Sequence, residues 1–527
     1  MPWKGVSFMC VFDIDMSSEQ MDLEGLSEQL NEIRNAILKV ELEYGEVISS
    51  VHPNYQYNAL NFLRYLRLRT FDLREIQWSL SALGLSSLSH SERHVLANIE
   101  NILYLLNAQL GKEFRGKYEF GKHPVNFIES ANRLNENTQR LFGKHIGQMG
   151  VMVTLPTQAT DIEYVRMLVR SGMNIARINC SHDDSEVWEQ MVENLRQVGV
   201  EESRLCSIYF DLAGPKIRTD ELYRVKKGKW EKEKSLKLES GDLIFLMKEK
   251  NKSILREVEI KKQKIVTCTL PAIIDDAKIQ QSIWFDDGKI GGVIEDKWPD
   301  VLQVRITKSA PTGSKLKPEK GINLPETHLN LPSLTDEDIH NLDFIAEHAD
   351  IVGFSFVRRV EDVAMLQEEL ANRGRHDLGI VLKIENQEAF SNLPGLILQG
   401  MKSESLGIMT ARGDLAVELG AERLSEVQEQ IMWLCEAALI PNIWATQVLE
   451  SLAKTGTSSR AEITDAAMSV RTECVMLNKG PYIDLALKTL TDILSRMEKH
   501  QHKKQATLRK LNVAEDFIES LPVAGAI

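Results

Sequence analysis

From residue 150 onward the sequence alternates short apolar runs, each too short for a helix, with longer amphipathic stretches. Eight such runs follow one another, at 151–155, 174–179, 205–211, 350–356, 379–385, 406–411, 442–446 and 474–477. A helix-like segment follows each run except the third, after which about 100 residues intervene. A strand followed by a helix, repeated eight times, is typical of a closed parallel barrel. The sequence therefore predicts an α/β fold built on a (β/α)8 TIM barrel.

Two further segments differ from this pattern. Residues 219–317 contain β-rich runs such as ESGDLIFLM, REVEIKK and KIVTCTL, punctuated by turns. We expect a small β-barrel domain, inserted in a barrel loop, that acts as a lid over the mouth. Residues 18–145 instead repeat apolar residues at helical spacing, with N-caps expected at Ser18 and Ser91.

The predicted domains are therefore an all-helical N-terminal domain at 1–145, the barrel at 146–218 and 318–500, the inserted β lid at 219–317, and a tail at 501–527.

Composition excludes several classes of protein. The 63 basic and 76 acidic residues give a net charge of −13, which argues against nucleic-acid binding because that affinity depends on clustered cations. Six dispersed cysteines form no CxxC pair, so neither a disulfide framework nor a zinc site is indicated. No apolar run approaches the ~18 residues of a membrane span, and the first residues do not resemble a signal peptide. We expect a cytoplasmic protein without membrane contact.

Polar residues end most of the predicted barrel strands. Because the carboxyl ends of parallel barrel strands meet at one face, these side chains should converge on one site. They are Arg177, Asn179 and Ser181 at the second strand; Asp211, Lys216 and Arg218 at the third; Lys383 and Glu385 at the fifth; Ala411, Arg412, Gly413 and Asp414 at the sixth; and Thr446 at the seventh.

These residue types suit phosphoryl transfer. Carboxylates such as Glu385 and Asp414 are the hard oxygen ligands that magnesium prefers. Lys383 can supply a point charge to a phosphoryl group, and the forked guanidinium groups of Arg177 and Arg218 can hold phosphate oxygens. Backbone N–H groups at a helix start near Gly413 would bind an anion.

Each element also has a structural interpretation. Lys383 and Glu385 can form an ion pair inside the barrel, and Asp414 can be a helix N-cap. His182 can be a packed histidine, and 286–288 (Asp-Asp-Gly) can be a hairpin turn. Convergence at one end of the barrel favours a site for an anionic substrate.

Ordered sequence blocks then indicate a family. They are SGMNIARINCSH, DLAGPKIRT, WFDDGKIGGVIED, KGINLPETHLNLPSLTDEDIHNLDF, FSFVRRVEDV, LKIEN, TARGDLAVELG, ATQVLESL and SRAEITDAA. Over about 150–498 the chain resembles pyruvate kinases. The resemblance implies transfer of the phosphoryl group of phosphoenolpyruvate to ADP, giving pyruvate and ATP, with magnesium or manganese as cofactor.

The resemblance also implies roles for the site residues. Glu385 and Asp414 become the metal ligands, and Lys383 stabilises the phosphoryl group during transfer. The remaining contacts would be Arg177 to that phosphate, Arg218 and Lys320 to nucleotide or transferring phosphates, the peptide groups of Ala411, Arg412, Gly413 and Asp414 to the substrate carboxylate, and Thr446 near the enolate carbon.

One departure concerns the monovalent cation. In potassium-dependent members the site resembles Asn179, Ser181 and Asp211 here, with a glutamate in the block that reads GPKIR in this chain. The resemblance to potassium-independent relatives implies that the Lys216 ammonium group occupies the potassium position. We therefore expect activity without potassium.

Two other departures leave alternatives open. The family's serine-glycine-glutamate-threonine-alanine loop does not follow Asn478. We also expect no C-terminal effector domain after the barrel. We expect the helical domain to supply oligomer contacts instead. The alternatives to a phosphotransferase are a catalytically weak nucleotide- or phosphoenolpyruvate-binding regulator that engages a partner through its helical domain, and a metal-dependent barrel enzyme acting on pyruvate enolate.

Overall fold

Eight parallel strands form a closed barrel in which each strand pairs with its neighbours in sequence order. The computed structural model describes residues 22–144, 149–226, 229–249, 264–503 and 505–506. The barrel strands are Gly150–Thr154, Ile175–Asn179, Ser207–Asp211, Ile351–Phe354, Gly379–Ile384, Leu406–Ala411, Asn442–Val448 and Cys474–Leu477. The predicted (β/α)8 barrel is thus confirmed, and each strand coincides with a predicted run to within a few residues.

The strands read as continuous apolar runs because helices cover the outer face of the barrel while side chains fill its interior. Every residue of Gly379–Ile384 and Leu406–Ala411 is buried. The covering helices are Ile162–Ser171, Ser185–Glu201, Asp336–His348, Val360–Asn372, Gln387–Gly400, Arg412–Leu419, Leu424–Ala438, Glu450–Thr455, Arg460–Met468 and Ile483–Met497.

The inserted domain contains an eight-stranded sheet, a two-stranded sheet and a short helix at Ile273–Asp276. Hydrogen bonds between 217–219 and 319–322 link its first and last strands, as in a small barrel. The sheet extends to Asn323, past the expected limit of 317. Its strands are Thr219–Lys226, Lys229–Lys232, Leu236–Leu238, Leu243–Met247, Lys264–Cys268, Ser282–Phe285, Ile290–Trp298, Val301–Lys308, Ser314–Leu316 and Ile322–Asn323.

Residues 22–144 are helical, without a strand among them. The helices are Leu23–Glu43, Gly45–Ser50, Gln56–Leu68, Arg74–Ala82, Val95–Gln109 and Phe127–Phe142. The predicted N-cap at Ser91 is wrong, because the helix begins at Val95 and the Ser91 hydroxyl donates to the Leu88 carbonyl at 2.7 Å instead. The expected cap at Ser18, the β-run at 256–262 and the tail from 507 lie outside the described residues.

The helical domain packs against the amino end of the barrel, opposite the mouth. Leu141 and Phe142 are buried with the residues that fill the barrel interior. A Cβ atom on Gly379 or Gly407 would lie 2.7 or 2.5 Å from the Leu141 side chain, so these two glycines make room for it. The Tyr55 hydroxyl accepts the Leu406 N–H at 3.0 Å. The helical domain and the barrel therefore share one core.

Buried amides strengthen the same contact. Asn58, Asn61 and Asn137 donate to backbone carbonyls of the turn that ends helix Leu424–Ala438, at 2.6–3.0 Å. Buried polar groups need such partners, so these amides fix the orientation of the domain on the barrel. None of the helices in the described part of the chain has the length and apolar character needed to cross a membrane.

A substitution at Leu141 tests whether the helical domain and the barrel share one core. Leu141→Ala should lower the free energy of unfolding by about 2–5 kcal/mol, because the contacts with Gly379 and Gly407 leave a cavity when they are lost. Urea unfolding followed by circular dichroism measures the change. The control is Leu42→Ala, whose side chain is 88% exposed. Equal unfolding midpoints for the two variants would contradict the shared core.

Candidate active site

The Lys383 ammonium group lies at the centre of the barrel mouth. Its Nζ donates to the Ser355 hydroxyl at 2.6 Å and lies 3.1 Å from carboxylate oxygens of both Asp211 and Glu385. Lys383 and Glu385 share a face because they are two residues apart at the end of the fifth strand. The ion pair between Lys383 and Glu385 is confirmed. Lys383 also contacts Asp211 at the end of the third strand and Ser355 after the fourth.

Asp211 joins Lys383 to a second cation. Arg177 Nε lies 2.9 Å from Asp211 Oδ2, and another nitrogen of the same guanidinium group also contacts that oxygen. The remaining fork of Arg177 donates to Thr154 Oγ1 at 2.8 Å. Asp211 is buried and is held between two positive charges. The ends of the first, second, third and fifth strands are thus linked in one polar network.

These groups stay charged although they are buried. Burial alone would raise the pKa of Asp211, but Arg177 and Lys383 lower it below the ordinary value. Burial would likewise lower the pKa of Lys383, but Asp211 and Glu385 outweigh that effect and raise it. Opposite charges at close range favour the ionised forms in this way. The Lys383 ammonium group is therefore a fixed positive charge at the mouth.

The Glu385 carboxyl group loses its proton less readily than that of Asp211, because its pKa is raised. Burial raises its pKa, Lys383 opposes the rise, and the nearby Asp414 carboxylate adds to it. Its Oε2 accepts the Phe356 N–H at 2.7 Å. Two carboxylates that repel each other, one buried and the other partly exposed, are a setting in which a divalent cation is favoured.

The Lys216 ammonium group contacts Asp414. Its Nζ lies 3.1 Å from both carboxylate oxygens of that residue. The reason is electrostatic, because Asp211 already has two cationic partners, whereas Lys216 is the one cation in contact with Asp414 within the described part of the chain.

Asn179 and Ser181 follow the second strand to its carboxyl end, next to Asp211 at the end of the third. Asn179 pairs with Asp211 in the register of the second and third strands, and its Oδ1 accepts the Ser181 N–H at 3.2 Å. The two residues are thus brought to the mouth as predicted from their spacing. Within the described part of the chain, the Lys216 ammonium group donates to Asp414 and not to these two side chains.

The sixth strand ends in a helix start, as expected. Helix Arg412–Leu419 follows Ala411 directly, and the Gly413 N–H donates to Thr446 Oγ1 at 3.0 Å. The Arg412 side chain turns to the barrel, where it donates to the carbonyls of Ala445 and Thr446 and pairs with Asp465. At this position the peptide group, and not the guanidinium group, remains for a ligand.

Arg218 and Lys320 lie where the lid joins the barrel. Lys320 Nζ is 2.9 Å from Asp286 Oδ1 in the lid, and Arg218 donates to the Glu319 carbonyl at 3.3 Å. They do not contact the network around Lys383. The 286–288 segment is a turn between antiparallel strands, so the hairpin interpretation is confirmed.

Sequence reasoning missed several residues of this site. Ser355 and Thr154 bind Lys383 and Arg177, and both stand at the ends of strands that showed no charged residue. Glu418 is four residues after Asp414, on the same helical face, and accepts the Asn323 side-chain N–H of the lid at 2.9 Å. The spacing of Asp414 and Glu418 is the signal that could have indicated it.

Two carboxylates are available for a metal. Among the described residues no group of three or more His, Cys, Asp or Glu side chains is placed to hold a metal ion. Magnesium is commonly bound by one or two carboxylates together with water and phosphate oxygens, so Glu385 and Asp414 fit it as a pair.

Comparison with known proteins decides the family. Residues 146–481 match the family model for the barrel domain of pyruvate kinase. The chain belongs to the pyruvate kinase family.

The chain is similar to named pyruvate kinases of several bacteria. It is 31% identical over 379 residues to the pyruvate kinase of Bacillus licheniformis, covering 70% of this chain and 61% of the relative. It is 31% identical over 355 residues to the pyruvate kinase of Geobacillus stearothermophilus, covering 66% of this chain and 56% of the relative. It is 30% identical over 384 residues to the pyruvate kinase of Staphylococcus haemolyticus, covering 71% of this chain and 61% of the relative. The chain thus spans about 60% of the length of these relatives.

Glu418 predicts a pH dependence. Burial raises its pKa from 4.5 to about 7; the Asn323 hydrogen bond opposes the rise and Asp414 adds to it. Between these pH values the folded protein keeps a proton that the unfolded chain has lost, so stability falls as the pH rises. Relative to Glu418→Gln, the wild type should lose roughly 1–3 kcal/mol of unfolding free energy across that window.

Urea unfolding at several pH values measures this difference. The control is Glu422→Gln, at an exposed position in the turn after the same helix. A difference between wild type and Glu418→Gln that does not change with pH would contradict the raised pKa.

Proposed function

We propose that this barrel transfers the phosphoryl group of phosphoenolpyruvate to ADP and forms pyruvate and ATP. The observation that carries the proposal is the buried ammonium group of Lys383, which is kept charged between Asp211 and Glu385 at the mouth. Catalysis of phosphoryl transfer consists mostly of positioning and charge stabilisation. A fixed cation in a dry site is suited to that task because it needs no reorganisation during the reaction.

The surrounding groups complete the proposed substrate site. Lys383 and Arg177 face the transferring phosphoryl oxygens, and the N–H groups at the start of helix Arg412–Leu419 donate to the substrate carboxylate. The Thr446 hydroxyl, held by the Gly413 N–H, would lie near the enolate carbon that is protonated. Arg218 and Lys320, at the lid junction, are placed to meet the nucleotide phosphates when the lid closes.

Magnesium or manganese would be held by Glu385 and Asp414. When bound, the ion neutralises charge on the phosphate oxygens. The Lys216 ammonium group now lies on Asp414, so it must share that carboxylate with the ion or move from it. Phosphoenolpyruvate and ADP or ATP are the proposed small-molecule partners.

Potassium should not be required. Asp211 is neutralised by Arg177 and Lys383, and Asp414 by Lys216, so fixed ammonium and guanidinium groups already supply the positive charge. Replacing sodium with potassium at constant ionic strength should leave the rate of pyruvate formation unchanged. A rate that rises many-fold in potassium would contradict this expectation.

The decisive assay follows pyruvate and ATP in purified protein with phosphoenolpyruvate, ADP and magnesium. Lys383→Met should reduce turnover at least about a hundredfold, because it removes the charge that stabilises the transferring group. The control is Lys488→Met, whose side chain is 65% exposed on the last barrel helix. Circular dichroism checks that both variants fold.

The same assay separates the two alternatives. Tight binding of phosphoenolpyruvate without turnover would support a regulatory protein, and solvent exchange of pyruvate protons without ATP would support an enolate enzyme. Either result, or equal turnover in Lys383→Met and wild type, would contradict the proposed phosphotransferase.

A further inference from the structure

The helical domain contains an aromatic groove that lies outside the barrel. Its volume is about 640 Å³, which is within the range of small-molecule sites. One wall is helix Val95–Gln109, and the other is the segment at 114–123 that passes over it. The aromatic and imidazole rings that line the groove are those of Tyr104, Phe114, Tyr118, Phe120 and His123.

The rings present flat faces to a ligand. Tyr104 and Phe120 stack with centroids 4.4 Å apart, and Tyr118 meets His123 edge-on at 4.5 Å. Tyr104 and Phe120 are 42% and 48% exposed, so the stacked pair lies at the opening of the groove. Aromatic faces of this kind bind planar rings by stacking.

Glu100 supplies a buried acceptor inside the groove. Its Oε1 accepts the Arg34 Nε–H and the Lys117 backbone N–H, both at 2.8 Å. Its Oε2 is buried and has no hydrogen-bond partner among the described residues. A Cβ atom at Gly116 would lie 2.9 Å from that oxygen, so glycine leaves room beside it. A buried carboxylate oxygen without a donor is costly, and a ligand N–H would satisfy it.

His123 is the second buried polar group of the groove. It is 7% exposed, and neither of its ring nitrogens makes a well-aligned hydrogen bond within the described ranges, although the Val125 backbone lies near one of them. Burial lowers the pKa of His123 and so favours the neutral ring. A neutral imidazole offers one donor and one acceptor. The groove therefore offers two acceptors and one donor beside flat aromatic faces.

Three cations near the groove already contact a carboxylate. Arg34 pairs with Glu100, while Lys117 and Arg64 pair with Glu41. A charged ligand would disturb these pairs, whereas a neutral one would not. A neutral, flat ring with N–H donors would therefore complement Glu100 Oε2 and His123.

We propose that this groove is a second ligand site, which binds a neutral planar nitrogen heterocycle bearing an amino group. The amino group donates to Glu100 Oε2, His123 bonds to a ring nitrogen, and the ring stacks at Tyr104 and Phe120. The site does not depend on the function proposed for the barrel. One helix contacts both the ion pairs near the groove and the barrel. On helix Gln56–Leu68, Arg64 pairs with Glu41, while Asn58 and Asn61 donate to backbone carbonyls of the barrel.

The test uses 2-aminopurine, a neutral fluorescent heterocycle whose emission is quenched when it stacks on aromatic rings. The full chain is titrated against the probe with saturating ADP and magnesium present, so that a nucleotide site in the barrel is filled. We expect saturable quenching. Tyr104→Leu and Phe120→Leu should each weaken binding about tenfold, and Glu100→Gln should do so by a similar factor.

The matched control is Phe71→Leu, which removes an exposed ring elsewhere in the same domain and should bind like wild type. Tyr104 and Phe120 are at the opening, so their variants remain informative if Glu100→Gln fails to fold. Lack of saturable quenching, or quenching that Tyr104→Leu and Phe120→Leu leave unchanged, would overturn the proposal.

Discussion

The site depends on one ammonium group shared by two carboxylates. Lys383 Nζ lies 3.1 Å from both Asp211 and Glu385, and Asp211 in turn binds Arg177. Removing Lys383 would leave the buried Glu385 carboxylate without its ion-pair partner, which is far more costly than the net stabilisation that the pair provides. Three strands of the barrel supply these groups, so the site forms only when these strands have come together.

The barrel was predictable because its strands are short apolar runs separated by helical segments, and their period is visible in the sequence. The spacing of Lys383 and Glu385 likewise placed both on one face. The start of helix Val95–Gln109 was not predictable from Ser91, since its hydroxyl can bond within a local turn instead of capping the helix. The docking of Leu141 into the barrel was also hidden, because it depends on glycines far away in sequence.

Most charged members of the site were predictable, but their pairing was not. The strand ends correctly identified Arg177, Asp211 and Lys383 as neighbours, but they did not indicate that Lys216 binds Asp414. An ammonium group pairs with a carboxylate that other cations have not already neutralised. The sequence does not show which carboxylates those are. The cations at the mouth are in fact matched by carboxylates, so the site combines fixed local charges with little net charge.

The most direct test of this account is the titration of Lys383 itself. Lysine-selective NMR spectra of wild type, with Lys383→Met to assign the resonance, report the pKa of this side chain. The account predicts that Lys383 remains protonated above the pH at which exposed lysines titrate, because Asp211 and Glu385 outweigh burial. A Lys383 pKa below that of the exposed lysines would contradict it, since burial would then dominate.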